Sequence, residues 1–560
     1  MTSPQTDRPD ANDKMRLVHL TSFTAPRTLP ADEQERNARR FSTLFIDERR
    51  RRKGGLGQVL YGEDTWGEPL AVKLVSEARD EEQDDSPSQA FAREAFRREY
   101  ETMRTLSGIK GFPRLYGAGK LDGCDAILME WVEGETLAAA IRHLSIDDEG
   151  RLSPLTAAQI GRDLFALLAR MEILENCVVH RDISTSNIMV DTSTRSLDDQ
   201  VAAGSFDLKL VDFGSAMLPG RSSSLTQKYG TPRGATPDFA PPEMLSEDIK
   251  GAATMRKNPA VDVYAAASVL YLLLAGHTPF LLEKGDNRSY YLQKTEQLPR
   301  ALAGAHAATV DIDITLTREP HTAALVEQAA SGGDGRPSSE RLAGVLTAVD
   351  SQLDDVIFAC LDPVQEYRPL ASEVQDTLAE FVGSYEDNIA NGLAERPLSQ
   401  CAGDAFERRA ANIRRRRARH LGMGVVIACA VLLLASSCTA GVLLDGELAK
   451  LALGPMRWGG ALSGWVVGVL LWLPAIIGYA ARFVARRNPH VLAWTIAAVG
   501  AGALVLLGIM ACTIFFSAQS LVLALAALAV SATLPWCALS FDVALGITFA
   551  KPSEEAQVDA

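Results

Sequence analysis

Residues Val178 to Val190 read VVHRDISTSNIMV, a polar cluster set between two apolar runs. His180, Arg181 and Asp182 follow two valines, and Asn187 comes after four intervening residues, directly before Ile188, Met189 and Val190. The same letters arise by chance at the end of a buried helix and strand. What decides their meaning is whether particular motifs stand in order on either side.

The chain has 560 residues and a formal net charge of −14. That length is too great for one core and suggests about three or four units. The charge is uneven. From Leu421 onward six Lys plus Arg balance six Asp plus Glu, so the acidic excess belongs to residues 1–420, and long uncharged apolar runs fill the remainder. Cys124, Cys177, Cys360 and Cys401 lie in the polar part and Cys429, Cys438, Cys512 and Cys537 in the apolar runs. No close cysteine pair or Cys/His cluster is present, which argues against a zinc site or a disulfide framework.

Upstream of the loop, a basic run Arg49 to Lys53 leads into Gly54, Gly55 and Gly57, then Val59 and Tyr61. Leu70 to Val75 (LAVKLV) is an apolar strand interrupted by Lys73. A buried strand keeps a lysine only if the ammonium has a partner, because an unpaired buried charge is very costly. Helical periodicity from Ala90 to Leu106 puts Glu99, Met103 and Leu106 on one inward face. Ala126 to Leu137 (AILMEWVEGETL) is an apolar strand that turns polar at a Glu-Gly pair. Downstream, Leu208 to Gly214 (LKLVDFG) is a strand ending in Asp212-Phe213-Gly214. A segment rich in Ser, Thr, Gly and Pro closes with Thr236 to Glu243 (TPDFAPPE). Asp262-Val263-Tyr264 opens an apolar helix, and Cys360 to Pro369 (CLDPVQEYRP) supplies Arg368.

Together and in this order, these stretches resemble the eukaryotic-like bacterial Ser/Thr protein kinase family over residues 41–385. The resemblance implies ATP and Mg²⁺ as cofactors and protein Ser/Thr hydroxyls as acceptors. It makes Asp182 the group that orients the attacking hydroxyl, with Lys73 gripping phosphate and pairing with Glu99; Glu94 is the runner-up partner. Asn187 and Asp212 become the metal-holding residues. Nucleotide contacts fall on Gly54, Gly55, Gly57, Val59, Ala71, Lys73, Met129 (the gatekeeper position), Glu130, Val132 and Met189. Asp262 would support the loop backbone and Arg368 would pair with Glu243. Two positions depart from the pattern. Arg52 stands where the family's first loop glycine falls, and Ser184 stands where Ser/Thr kinases usually carry a lysine directed at the transferred phosphate. Insertions at residues 191–206 and 281–349 carry no chemistry that the sequence assigns.

Residues 1–40 read as a disordered N-terminal arm with no apolar stretch long enough for a signal peptide. Residues 386–420 read as a basic juxtamembrane linker, with seven arginines between Arg408 and Arg419. Leu421 to Leu444 is 24 residues without a charge, longer than the ~20 that cross a bilayer. Gly459 to Ala481, Val491 to Phe516 and Leu521 to Phe541 follow, so residues 421–541 read as four transmembrane helices and 542–560 as a tail. Arginines before the first run, and Arg482, Arg486 and Arg487 after the second, place the kinase domain and the C-terminus in the cytoplasm of a multi-pass cell-membrane protein. The external connections are then 14 and 4 residues long, too short for a ligand-binding domain.

The fold expected is therefore α+β: a bilobal protein kinase-like domain (small lobe 41–133, large lobe 134–385) followed by an all-α four-helix transmembrane region. The function that the resemblance implies is membrane-anchored Ser/Thr phosphorylation in signalling. Anionic lipid at Arg408 to Arg419 and a second copy in a homodimer are the further partners considered, with no nucleic acid. A membrane-bound pseudokinase scaffold is the alternative, favoured by Arg52 and Ser184. A small-molecule phosphotransferase lacks the Thr236 to Glu243 motif and its Arg368 partner.

Overall fold

The computed structural model describes residues 15–27, 29–54, 57–75, 87–174, 177–217, 236–248, 250–283, 288–302, 323–324, 327, 339–401, 406, 408–415 and 417. The chain divides into a compact unit through Arg409 and a second unit from Ala410. The four apolar runs expected to span a membrane lie outside the described residues. Among the described residues, no helix is long and apolar enough to cross one.

The small lobe is a closed barrel of strands β1 (Arg16–Thr24), β2 (Thr43–Gly54), β3 (Gly57–Glu63), β4 (Pro69–Val75), β5 (Leu115–Leu121) and β6 (Cys124–Glu130), in the order β1-β2-β3-β4-β6-β5. Period-two alternation explains both faces of β4. Leu70, Val72 and Leu74 join Leu44, Ile46 and Leu128 inside the barrel, which turns Ala71 and Lys73 the other way.

The N-terminal arm expected to be disordered is folded from Arg16. β1 pairs with β2 and with β5, closing the barrel, and helix α1 (Ala31–Arg40) follows it. The signal is faint because β1 buries only Val18 and Leu20. Helix α1 buries none of its residues. Ion pairs Arg36–Asp32 and Arg39–Glu35 run along its exposed face, and Arg40 reaches the buried Asp64.

Helix α2 (Pro87–Leu106) is the next described element after β4. After the barrel come β7 (Gly134–Thr136), α3 (Leu137–Leu144) and α4 (Pro154–Glu172), then β8 (Ile188–Asp191), α5 (Leu197–Ala202) and β9 (Leu208–Leu210). β7, β8 and β9 form a small antiparallel sheet that carries the polar loop. Gly134 enters it with φ 121°, and a Cβ there would lie 2.1 Å from the Val190 carbonyl, so the Glu-Gly pair is a steric requirement.

The large lobe continues with α6 (Pro242–Leu245), α7 (Ala260–Ala275), α8 (Tyr290–Glu296), α9 (Ser339–Asp350), α10 (Gln352–Cys360) and α11 (Ala371–Leu393). Helix α7 is buried at every residue except Ala260 and Leu272, as a helix apolar all round must be. It packs with α4 and α10 in one core.

The linker expected from residue 386 begins later. α11 runs to Leu393, burying Tyr385, Asn388 and Ile389 in its last turns. The chain then folds back: Asn388 exchanges two hydrogen bonds with the Ser399 backbone (2.7 and 2.9 Å), and Cys401 N–H donates to Gln352 (3.0 Å). Phe406 is buried in the same core. Polar side chains bonding to backbone hold this return, so hydrophobic periodicity does not reveal it.

Candidate active site

The two lobes enclose a cavity of about 630 Å³. Gly57, Val59, Ala71, Lys73, Glu99, Met129, Glu130, Val132, Asn187, Met189 and Asp212 all line it. Gly54 ends β2 opposite Gly57, and Gly55 lies outside the described residues. Trp131, inside the Glu130 to Val132 stretch expected to meet a base, also lines the cavity, as do Glu135, Thr136, Ala139 and Ser186, which no motif or periodic mark singles out.

Lys73 is 6 % exposed and Glu99 3 %. Lys73 Nζ donates to Glu99 Oε1 at 2.5 Å and to Asp212 Oδ1 at 2.8 Å. Burial works against the ammonium, but the two carboxylates outweigh it and hold the lysine above its ordinary pKa. Burial likewise works against ionised Asp212, and Lys73 more than offsets it, keeping that carboxyl below its ordinary value. Glu94, the other candidate partner, bonds instead to Arg97 (2.7 Å) and Arg98 (3.0 Å).

Asp182 is half-buried and both of its carboxylate oxygens accept hydrogen bonds, with room for one more on Oδ2. Oδ1 accepts from the Thr236 N–H (3.0 Å) and hydroxyl (3.1 Å), and Oδ2 accepts from Asn187 Nδ2 (3.0 Å). Burial pushes its pKa up to about 6 despite these donors. Asn187 Nδ2 also donates to the Asp182 carbonyl (2.8 Å). The amide thus commits its nitrogen to Asp182, which leaves its oxygen to face a ligand. Asp212 uses Oδ1 for Lys73 and for the Gly214 N–H (3.4 Å), leaving Oδ2. Two hard oxygens on one cavity suit Mg²⁺, which keeps waters and substrate phosphates rather than an all-protein cage.

The loop backbone is strained and clamped. Arg181 and Asp212 have φ of 71° and 62°, a region that non-glycine residues seldom occupy. Asp262, at the start of α7, accepts the N–H groups of His180 (2.6 Å) and Arg181 (2.7 Å). His180 donates from Nε2 to the Val211 carbonyl (3.1 Å) and, pulled down to about 4 by burial, is neutral at physiological pH. The Arg181 guanidinium is buried too. Its Nη1 meets only the Met217 sulfur (3.9 Å) and its Nε has no partner among the described residues.

At the strand edge of the pocket, the Glu130 N–H is taken by the Arg114 carbonyl (2.8 Å). The offer to a base there narrows to the other backbone groups of residues 130–132. The basic run is also explained. Glu48 to Arg50 bulge between the Asp47–Tyr61 and Arg51–Leu60 pairs, and Arg50 stacks on Tyr61 at 3.9 Å. Arg52 projects into the pocket, where its Nη1 meets the Met189 sulfur at 3.4 Å. Ser184, in place of the family's lysine, is 4 % exposed.

Behind the site, Arg368 donates to both oxygens of Glu243 (2.6 and 3.0 Å), and Gln365 adds a third bond (2.9 Å). The segment Thr236 to Glu243 is therefore tied to Asp182 at one end and to the large-lobe core at the other.

Comparison with known proteins gives the same answer as the geometry. The family model described as the protein kinase domain matches residues 52–378. Serine/threonine-protein kinase PkaB of Streptomyces coelicolor is 33% identical over 233 residues, covering 41% of this chain and 48% of that protein. Serine/threonine-protein kinase PknE of Mycobacterium tuberculosis is 31% identical over 268 residues, covering 48% and 40%. The probable serine/threonine-protein kinase zyg-1 of Caenorhabditis elegans is 27% identical over 227 residues, covering 40% and 26%. The chain spans less than half the length of these relatives. The matched model takes in more than half of the chain, from Arg52 at the glycine-rich turn through Leu378 in α11, and the chain belongs to the protein kinase domain family.

Proposed function

We propose that the chain is a Ser/Thr protein kinase that transfers the γ-phosphoryl group of ATP to protein hydroxyls. The observation that carries this reading is the convergence of Lys73, Glu99 and Asp212 within hydrogen-bond reach on one cavity. Glu99 holds the Lys73 ammonium where nucleotide phosphates enter. Asp182 orients the acceptor hydroxyl and takes its proton as the oxygen bonds to phosphorus and the bond to the ADP oxygen breaks. Asn187 and Asp212 would hold Mg²⁺, which when bound neutralises charge on the phosphates. Thr236, bound to Asp182, favours Ser/Thr acceptors. The test is incubation of the purified chain with ATP, Mg²⁺ and a general protein substrate, followed by phosphoamino-acid analysis; no phosphoserine or phosphothreonine above a no-enzyme control overturns the reading.

Two finer readings accompany it. The four apolar runs and the arginine asymmetry support a multi-pass anchor with the catalytic domain cytoplasmic, a homodimer through the spans, and Arg408 to Arg419 against anionic lipid. Membrane fractionation with protease protection checks the topology, and exposure of the kinase domain on the outer face would overturn it. The Arg181 guanidinium, whose Nε has no partner among the described residues, supports a switch in which a phosphate from residues 218–235, outside the described residues, pairs with it.

A pseudokinase scaffold is the second reading, because the Arg52 guanidinium reaches Met189 across the slot a base would occupy. Nucleotide binding without phosphate transfer by the Mg²⁺-loaded chain would favour it.

A further inference from the structure

The stretch from residue 281 to 349, to which the sequence assigns no chemistry, sends one buried cation to the segment beside Asp182. Lys294 in α8 is 2 % exposed. Its Nζ donates to the carbonyls of Asp238 (3.1 Å) and Ala240 (2.7 Å). The rings of Tyr264 and Phe280 also face it, each with its centroid 5.5 Å away. Among the described residues, the direct partners are thus two carbonyls and two ring faces, not a carboxylate.

That arrangement is costly for an ammonium, and packing alone does not require it. A methionine fills nearly the same volume without the desolvation penalty. What only a donor supplies is the pair of bonds to Asp238 and Ala240. These fall between the two other ties on the same segment: Thr236 on Asp182, and Glu243 on Arg368. We propose that Lys294 is a positioning residue for phosphate transfer, clasping the middle of this segment so that Thr236 holds the Asp182 carboxylate at the height the acceptor hydroxyl requires. The proposal rests on the kinase reading of the site. Burial is the main influence pulling the lysine down, to about 7, with Asp238 and Glu243 opposing and Arg368 adding to the fall. Both protonation states keep at least two N–H donors, so the clasp persists through neutral pH.

The nucleotide cavity is lined by other residues, so the effect separates in kinetics. In the full chain, Lys294→Met should lower kcat by about 10- to 100-fold, the order expected when a reacting group shifts by an ångström or less, with KM for ATP unchanged. Lys294→Gln, which keeps an NH₂ donor, should recover part of the loss. Amide exchange should quicken in the peptide holding Thr236 to Glu243 and stay unchanged in β4 and α2. A Lys294→Met kcat within about twofold of wild type, or a rise in exchange spread evenly over the domain, overturns the proposal. If Lys294→Met does not fold, the same two measurements on Lys294→Leu, which also lacks a donor, decide. Failure of both variants to fold makes the lysine a folding determinant and overturns the positioning role. If the wild-type chain transfers no phosphate, the kinase reading fails, and the exchange comparison still decides whether Lys294 holds the segment.

Discussion

Thr236→Val removes one donor from the Asp182 carboxylate while keeping the side-chain shape and the backbone N–H. Asp182 must be ionised to accept the acceptor's proton, and its pKa already stands at about 6 because burial outweighs the Thr236 and Asn187 donors. Losing a donor to the ionised form can only push it higher. A hydrogen bond to a charged group contributes ~1.5–3 kcal/mol, and 1.36 kcal/mol is one pKa unit. The carboxylate is only half-buried, so water replaces part of the lost bond and the lower end applies, about one unit. The acid limb of kcat/KM, which reports the free enzyme, should therefore move from near pH 6 to near pH 7. The ratio of wild type to mutant then depends on pH: about fivefold from ionisation at pH 6 and close to unity at pH 8. Initial rates on one peptide across pH 5.5 to 8.5, with Thr236→Ser as the hydroxyl-keeping control, read this directly. An acid limb that stays in place, or an equal loss at pH 6 and pH 8, would refute the assignment of Asp182 as the titrating base.

Lys73→Met or Asp212→Asn should abolish phosphate incorporation while leaving thermal unfolding cooperative; wild-type incorporation in either mutant contradicts the proposed site. Ser184→Lys should preserve or raise the transfer rate, since a positive charge near the transferred group contributes a few kcal/mol at most in comparable roles; a large fall with normal folding and nucleotide binding means the buried serine has a role of its own. Replacing Ser222, Ser223, Ser224, Thr226 and Thr231 together with alanine should lower activity toward an external protein by removing the phosphate that pairs with Arg181, Thr226 and Thr231 being the favoured sites. Equal rates for this mutant and the wild type mean that residues 218–235 are not the switch.

The chemistry of the site was legible because each part is a local anomaly. A lysine in LAVKLV or an aspartate closing LKLV breaks an apolar strand, and a buried charge demands a partner. Helical spacing was enough to choose Glu99 over Glu94, since only Glu99 shares a face with Met103 and Leu106. Gly57 and Val59 line the cavity, but the orientation of the basic run before them carries no sequence signal. That Arg50 stacks on Tyr61 while Arg52 enters the pocket depends on a bulge in β2, and nothing in a run of five basic residues says which will turn inward.

What stayed hidden was held by polar groups whose partners lie far along the chain. Asp182 depends on Thr236; Asn388 orders Ser399; Lys294 holds Asp238 and Ala240. Thr, Asn, Asp and Lys are ordinary loop and surface residues, so such contacts leave no periodic trace, and each bond becomes visible only when the backbone group it satisfies is known to be buried. The N-terminal arm failed for the same reason in another form. β1 fully buries only Val18 and Leu20, with Phe23 partly buried beside them, and backbone pairing with β2 and β5 adds support that leaves little mark in the sequence. Hydrophobic pattern therefore locates the core and the anomalies set into it. The residues that fix the height and angle of the reacting groups have to be found by asking where each buried N–H and C=O is satisfied.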